Sequence, residues 1–323
     1  MKRIFSSLLL ILTLFLSACQ PKAKTDLREV TINLTYVPNV QFTPFYVAIE
    51  KGFFEAEGLK VNLVYGNEAD MVALVGSNHQ QFMIASGEQV LLSREQGLPV
   101  VAVANWYKDY PVGVAALKES GITEPKDLIG KKIGLPGLFG ASYIGMEALA
   151  GQTGLKSGDY ELVSIGFNQV ETLVSKTVDA VVVYLANEPV QLRERGYEIN
   201  VMAVKDYIHL VGNCLVTNES SMANEPELVR SVVKALIQGI QYTAKNPDEG
   251  WEISQKYVEN LTEETAPIQR KVLDESIKLW LLDRQSEADQ AESWSNMMQV
   301  LLDIGLMKKA IDLNKVYSNE FLP

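Results

Sequence analysis

The chain has 323 residues, a formal net charge of −11, 47% hydrophobic and 21% charged residues. That composition fits a globular protein with one large or two medium cores and excludes a disordered or membrane-embedded chain. So acidic a chain, with no Lys/Arg cluster after its first residues, is unsuited to neutralising phosphates, which excludes nucleic acid as a partner.

At the N-terminus, Lys2 and Arg3 form a basic region and Ile4 to Leu16 an apolar stretch broken only by Ser6, Ser7 and Thr13. It is too short to span a bilayer and ends in small residues, so residues 1–18 read as a secretory signal. The ending Leu16-Ser17-Ala18-Cys19 resembles the lipobox of bacterial lipoproteins. That implies lipidation of Cys19 and anchoring to the cell membrane on its extracytoplasmic side. Residues 19–29 are polar, with Pro21, Lys22 and Lys24, and read as a tether. Losing Lys2 and Arg3 takes the net charge from −11 to −13. The other cysteine is Cys214, so one mature chain offers neither a disulfide framework nor a Cys-based metal site. No second long apolar run follows, so the expected protein is anchored rather than spanning.

The globular region opens with a strand in which Val30, Ile32 and Leu34 alternate with Thr31, Asn33 and Thr35. The chain turns through Val37-Pro38-Asn39 and continues as a helix carrying Phe45, Val47, Ala48 and Ile49. Between them lie Tyr36, Asn39, Gln41, Phe42 and Tyr46, aromatic faces mixed with amides. Gly52 and Gly58 bracket a turn into a strand over 59–65; a helix over 70–75, a strand over 81–85 and a helix over 90–96 follow. Leu98 to Ala104 is a continuous apolar run, the mark of a strand covered on both faces, and it delivers Asn105-Trp106-Tyr107. The pattern restarts with strands over 111–117 and 132–135, a helix over 143–152, strands over 161–165, 180–184 and 201–204, and a helix over 169–176. A strand over 214–217 precedes helices from Glu225 onward, with Val229, Val232, Val233, Leu236 and Ile240 at helical spacing. This alternation predicts an α/β protein of two lobes, each a mostly parallel sheet flanked by helices. Lobe one comprises residues 30–111 and 212–323, lobe two residues 112–211.

Catalysis has little to work with. His79 and His209 are isolated, Ser142 lacks the glycine spacing of a nucleophile elbow, and the Gly134–Gly145 segment matches neither a P-loop nor a dinucleotide fingerprint. No metal motif is present, and no cofactor is expected. The strand ends are more informative, because ligands of open α/β sheets bind beyond the carboxyl ends of strands. Five loops qualify: 36–46, 86–89, 105–107, 137–143 and 184–188. Together they supply aromatic faces for stacking and amides and carboxylates for polar edges, a mix suited to a flat heterocycle. The candidate site is Asn39, Phe42, Tyr46, Ser86, Glu88, Trp106, Tyr107, Ser142, Tyr143, Tyr184, Asn187 and Glu188. Whether Tyr36 or Tyr46 points inward turns on one residue of loop register. The pair Asn187-Glu188 before Pro189 reads equally as ligand contacts or as a helix cap with an acidic first turn.

The runs TYVPNVQFTPFYVAIEKGFFEAEGL, IASGEQVLL and KKIGLPGLFGASYIG resemble the NMT1/THI5-like substrate-binding proteins of ABC importers, over nearly the whole chain from Val30. The resemblance implies the two-lobed periplasmic-binding fold of type II, a ligand clamped between the lobes, and ABC permease and ATPase subunits as partners of a monomer. PNVQF and YLANEP are most similar to the riboflavin-binding branch, with carriers of thiamin pyrimidine precursors next. Glu88 and Glu188 suit the sulfonate and nitrate branches poorly, since carboxylates repel anions. The fungal enzymes of pyrimidine biosynthesis carry a tight cysteine cluster that this sequence lacks, which disfavours an enzyme.

Overall fold

A computed structural model of the chain describes residues 27–259, 261–283 and 286–323. The expected signal 1–18, Cys19 and the tether up to residue 26 lie outside the described residues. The first strand begins at Arg28, so the last two residues assigned to the tether pair instead with Leu59 and Lys60 in a sheet.

In chain order, the first lobe holds β1 (Arg28–Thr35), α1 (Thr43–Glu50), α2 (Phe53–Ala56), β2 (Leu59–Gly66), α3 (Glu68–Gly76), β3 (Phe82–Ser86), α4 (Gly87–Glu95) and β4 (Val100–Asn105). The second holds β5 (Val112–Leu117), β6 (Lys132–Leu135), α5 (Gly140–Thr153), β7 (Glu161–Ser164), α6 (Gln169–Val174), β8 (Ala180–Tyr184), α7 (Glu188–Glu194) and β9 (Ile199–Ala203). The chain then returns through β10 (Asn213–Asn218), α8 (Glu219–Asn224), α9 (Pro226–Lys245), α10 (Pro247–Ser254), α11 (Thr265–Trp280) and α12 (Glu287–Asp303). Two helices start three residues before their apolar signal does, α4 at Gly87 and α5 at Gly140. Their first turns are built from small or polar residues that carry no apolar period.

The strand orders are β2-β1-β3-β10-β4 and β7-β6-β8-β5-β9. In each sheet four strands run one way and a single strand, β10 or β5, runs against its two neighbours. The reason is geometric. β4 and β9 both end at the face where the lobes meet, so the next strand, in the other lobe, starts at that face and runs away from it. Both crossovers therefore lie at the carboxyl ends of the parallel strands, where the five loops gather.

Central strands are buried throughout, whereas the edge strand β2 alternates buried and exposed positions. Burying each large aliphatic side chain contributes about 1.5–3 kcal/mol. One buried cluster is continuous across both lobes, from Ala85, Val90 and Leu91 through Tyr110 and Val112 to Ile144 and Met146. α12 adds Trp294, Met297 and Leu301 to it and packs on both α4 and α5, so it touches both lobes. The crossovers also hold each other: His209 Nδ1 and Asp109 Oδ2 are 2.7 Å apart. At Gly212 a Cβ would stand 2.7 Å from the Asp109 carbonyl oxygen, so only glycine allows that approach. Among the described residues no helix is long and apolar enough to cross a membrane.

Candidate functional site

The site is built outward from α4. β3 ends at Ser86, and α4 begins at once with Gly87 and Glu88. A Cβ at Gly87 would lie 2.1 Å from Val211 Cγ1, so this glycine lets the second crossover pack onto the start of α4. Glu88 is thereby enclosed, with 1% of its surface exposed. Neither of its carboxylate oxygens has a hydrogen-bond partner among the described residues. Its own backbone N–H and then the hydroxyls of Ser86 and Tyr110 lie close enough to draw its pKa down, but both hydroxyl protons are committed elsewhere. Ser86 donates its N–H at 2.6 Å and its hydroxyl at 2.8 Å to Glu68 at the start of α3. Tyr110 donates to the carbonyl oxygen of Ala141 in α5, at 2.8 Å. Burial first, and then the Glu68 charge, push the Glu88 carboxyl up to about 8; burial raises Glu68 as well. The Glu88 charge in turn acts on Tyr110, on Tyr184 at the end of β8 and on Cys214 of β10, whose thiol burial pushes up to about 12. Glu88 thus stands where lobe one, lobe two and a crossover converge.

Glu188 opens α7 in lobe two in the same way, but its carboxylate is occupied. Oε2 accepts the Tyr184 N–H at 2.8 Å and Oε1 accepts from Asn187 Nδ2 at 3.0 Å. Asn187 Oδ1 in turn accepts from Gln191 Nε2 at 2.9 Å. Burial pushes Glu188 up to about 7, against those hydrogen bonds, which lower it. Glu188 does stand in the first turn of α7, but no side chain caps that helix; the Asn187 and Glu188 side chains bond to each other and within their own loop.

Several expected aromatics turn into lobe one. Tyr46 is fully buried; its hydroxyl donates to the Asn39 carbonyl at 3.2 Å and accepts from the Tyr65 hydroxyl at 3.0 Å, while its ring stacks on Tyr257 at 4.3 Å. The residue that faces the other lobe is Tyr36. Its ring meets the Phe167 ring edge-on at 5.2 Å, and its backbone sits at φ 142°, a conformation non-glycine residues seldom adopt. Trp106 is stacked on Phe45 at 5.1 Å with Phe42, Tyr107 and Trp280 around it, all within lobe one. Trp106 and Phe42, expected to wall a ligand ring, have their ring neighbours within lobe one. Tyr107 reaches across the strand ends to donate to Gln41 Oε1 at 2.8 Å. Asn39 caps the short 3-10 turn Val40–Phe42 by accepting the Gln41 N–H at 2.9 Å. In lobe two, Ser142 is buried near the start of α5, whereas Tyr143 lies on the helix face of Glu147 and Tyr160.

The structure thus gathers Ser86, Glu88 and Tyr184 at one point, with Glu68, Tyr110 and Cys214, which sequence reasoning left out. Glu68 and Tyr110 carry no local signal, since only the tertiary fold brings them to Glu88. Phe167, 69% exposed, was within reach of the strand-end rule, had that rule been applied to β7. A second concavity, a groove of about 340 Å³ between Leu117, Leu173 and Val178, opens at the opposite strand ends of lobe two and is crossed by the Lys176–Glu119 ion pair at 2.7 Å. Among the described residues no unpartnered buried side chain lines it.

Two sheets joined by paired crossovers, with the strand-end loops turned toward each other, make the periplasmic-binding fold. The aliphatic sulphonate binding protein SsuA of Escherichia coli shares it at a TM-score of 0.75 and 14% identity, over 92% of this chain and 94% of that one. Within that fold the chain belongs to the NMT1/THI5-like family, whose model matches residues 39–250. It is 33% identical over 314 residues to the riboflavin-binding protein RibY of Chloroflexus aurantiacus, covering 95% of this chain and 90% of that protein. It is 30% identical over 312 residues to the formylaminopyrimidine-binding protein of Halalkalibacterium halodurans, covering 91% of each. A 4-amino-5-hydroxymethyl-2-methylpyrimidine phosphate synthase of Legionella pneumophila also matches, at 24% identity over 91% of this chain and 92% of that protein.

Proposed function

We propose that the protein is the extracytoplasmic solute-binding component of an ABC importer, capturing a neutral flat heterocycle between its lobes, riboflavin first and a formylaminopyrimidine or hydroxymethylpyrimidine second. The observation that carries this reading is the unpartnered, buried Glu88 carboxyl at the lobe junction. A group so placed calls for hydrogen-bonding partners supplied from outside the protein, and it disfavours an anionic solute. The similarity to RibY supports riboflavin as the first ligand to test. Lobe closure about the two crossovers would enclose the ligand and present it to permease and ATPase subunits. The lipobox-like Leu16-Ser17-Ala18-Cys19 supports a tether to the membrane through Cys19.

Titration of the purified protein with riboflavin, followed by flavin and tryptophan fluorescence, tests this. Saturable quenching at micromolar ligand is expected. Absence of quenching together with binding of formylaminopyrimidine would select the second ligand. The enzyme reading has named synthases among the relatives in its favour. Against it stand the two lone cysteines of the sequence and the missing cysteine cluster. Formation of a pyrimidine product by the purified protein would overturn the carrier reading.

A further inference from the structure

We infer that Glu88 stays protonated beside Glu68 and offers its O–H and C=O together to a ligand edge that carries an adjacent acceptor and donor. This rests on the carrier reading above. It narrows the solute class to neutral rings with a lactam or amino-imine edge.

The groups facing Glu88 are Ser86 from its own turn, Glu68 from α3, Tyr110 from the first crossover, Tyr184 from β8 and Cys214 from β10. None is a cation. Lys108 acts on Cys214. An ionised carboxylate enclosed without a counter-charge or hydrogen bonds is strongly disfavoured, and a second carboxylate beside it adds repulsion. The protonated form avoids both penalties and needs only one acceptor and one donor. Neither hydroxyl proton serves its C=O, since Ser86 donates to Glu68 and Tyr110 to Ala141, and neither Glu88 oxygen has a partner of hydrogen-bond geometry among the described residues. A lactam edge (N–H beside C=O) or an aminopyrimidine edge (N–H beside ring N) pairs with a carboxylic acid through two in-plane hydrogen bonds. A sulfonate or phosphate would present only acceptors and so leave the Glu88 C=O without a donor. The direction of the Glu88 shift, upward to about 8, agrees with this geometry.

The test compares wild type, Glu88→Gln and Glu88→Ala, with riboflavin and 4-amino-5-hydroxymethyl-2-methylpyrimidine as probes, from about pH 6.5 to about pH 9. Because only the protonated form pairs, wild-type affinity falls roughly tenfold over that range. Glu88→Gln keeps a donor beside an acceptor, so it binds within a few-fold of wild type at the lower pH and shows no pH dependence. Glu88→Ala binds about a hundredfold more weakly, the loss of two buried hydrogen bonds. Three results overturn the inference: unchanged affinity in Glu88→Ala, loss of binding in Glu88→Gln as complete as in Glu88→Ala, or wild-type affinity that rises with pH. If wild type binds neither probe, the carrier reading fails for these ligands. The infrared difference spectrum of wild type minus Glu88→Gln then still decides the protonation of Glu88. A protonated-carboxyl band at about pH 6.5 that fades by about pH 9 supports it, and its absence overturns it.

Discussion

Glu88 and Glu188 occupy matching positions in the two lobes. Each lies in the first turn of a helix that follows a parallel strand, each is at least nine-tenths buried, and burial raises both. Their surroundings differ. Glu188 folds back onto its own loop and accepts two hydrogen bonds, so it fastens the turn between β8 and α7. Glu88 accepts none and faces a junction assembled from three separate segments. A buried acid at a strand end is thus tied into the fold when its own loop supplies donors and left unpartnered when it does not. The composition of the loop does not separate the two cases.

The largest expected effect tests the ionisation half of that comparison. The Glu88 pKa is about 8 in the folded protein against 4.5 for the ordinary group. An acid whose pKa is raised by folding contributes most stability below its unfolded pKa and loses that contribution as pH rises through the folded value. Wild type should therefore lose stability between about pH 4.5 and about pH 8, relative to Glu88→Gln, by on the order of 3–5 kcal/mol. Urea unfolding of the two proteins across that range measures it. Parallel stability curves would mean that Glu88 is not the titrating group.

The next effect separates the carboxylate fastened to its own loop from the one proposed to meet the ligand. Glu188→Ala leaves the Tyr184 N–H and Asn187 Nδ2 without their acceptor, which costs about 1–3 kcal/mol of stability. Glu88→Ala removes no hydrogen bond from the protein, so its stability near neutral pH stays at or above that of wild type while ligand affinity falls. Denaturation midpoints and binding titrations on the same two variants read both quantities. A stability loss in Glu88→Ala equal to that in Glu188→Ala would erase the distinction.

Much of this arrangement was legible before any coordinates. The period-2 and period-3.6 patterns located the strands and helices, and the continuous apolar runs marked buried strands such as β8 in the middle of its sheet and β4 at the end of its own. From the restart near residue 112 came two lobes with loops at matching strand ends. Side-chain direction within those loops was not legible. Trp106, Phe42 and Tyr46 have the same composition whether they line a cleft or fill a core; what turned them inward is packing against Phe45, Trp280 and Tyr257, distant in sequence. The Glu68–Ser86 hydrogen bonds and the approach of Tyr110 to Ala141 likewise exist only once both lobes are folded. Glu88 could be named from its place after a strand, but its lack of partners could not.

The smallest expected effect concerns Tyr36, which belongs to the Glu188 side of the cleft: the Glu188 charge acts on its hydroxyl, and its ring meets Phe167 of lobe two. If that side is scaffold, changing Tyr36 should alter how the lobes hold together more than what they bind. Tyr36→Ala keeps a Cβ at the unfavourable backbone angle and loses the ring pair, worth about 0.5–1.5 kcal/mol. Tyr36→Gly loses the same ring but also relieves the backbone, a term of about 1–3 kcal/mol, offset by the freer unfolded chain of glycine at up to about 1 kcal/mol. The glycine variant should therefore be the more stable of the two in thermal unfolding, and both should keep ligand affinity within a few-fold of wild type. Equal stabilities would mean that the φ of 142° at Tyr36 stores no strain. An affinity loss in both variants as large as that of Glu88→Ala would move recognition to the Glu188 side and reverse the roles assigned to the two glutamates.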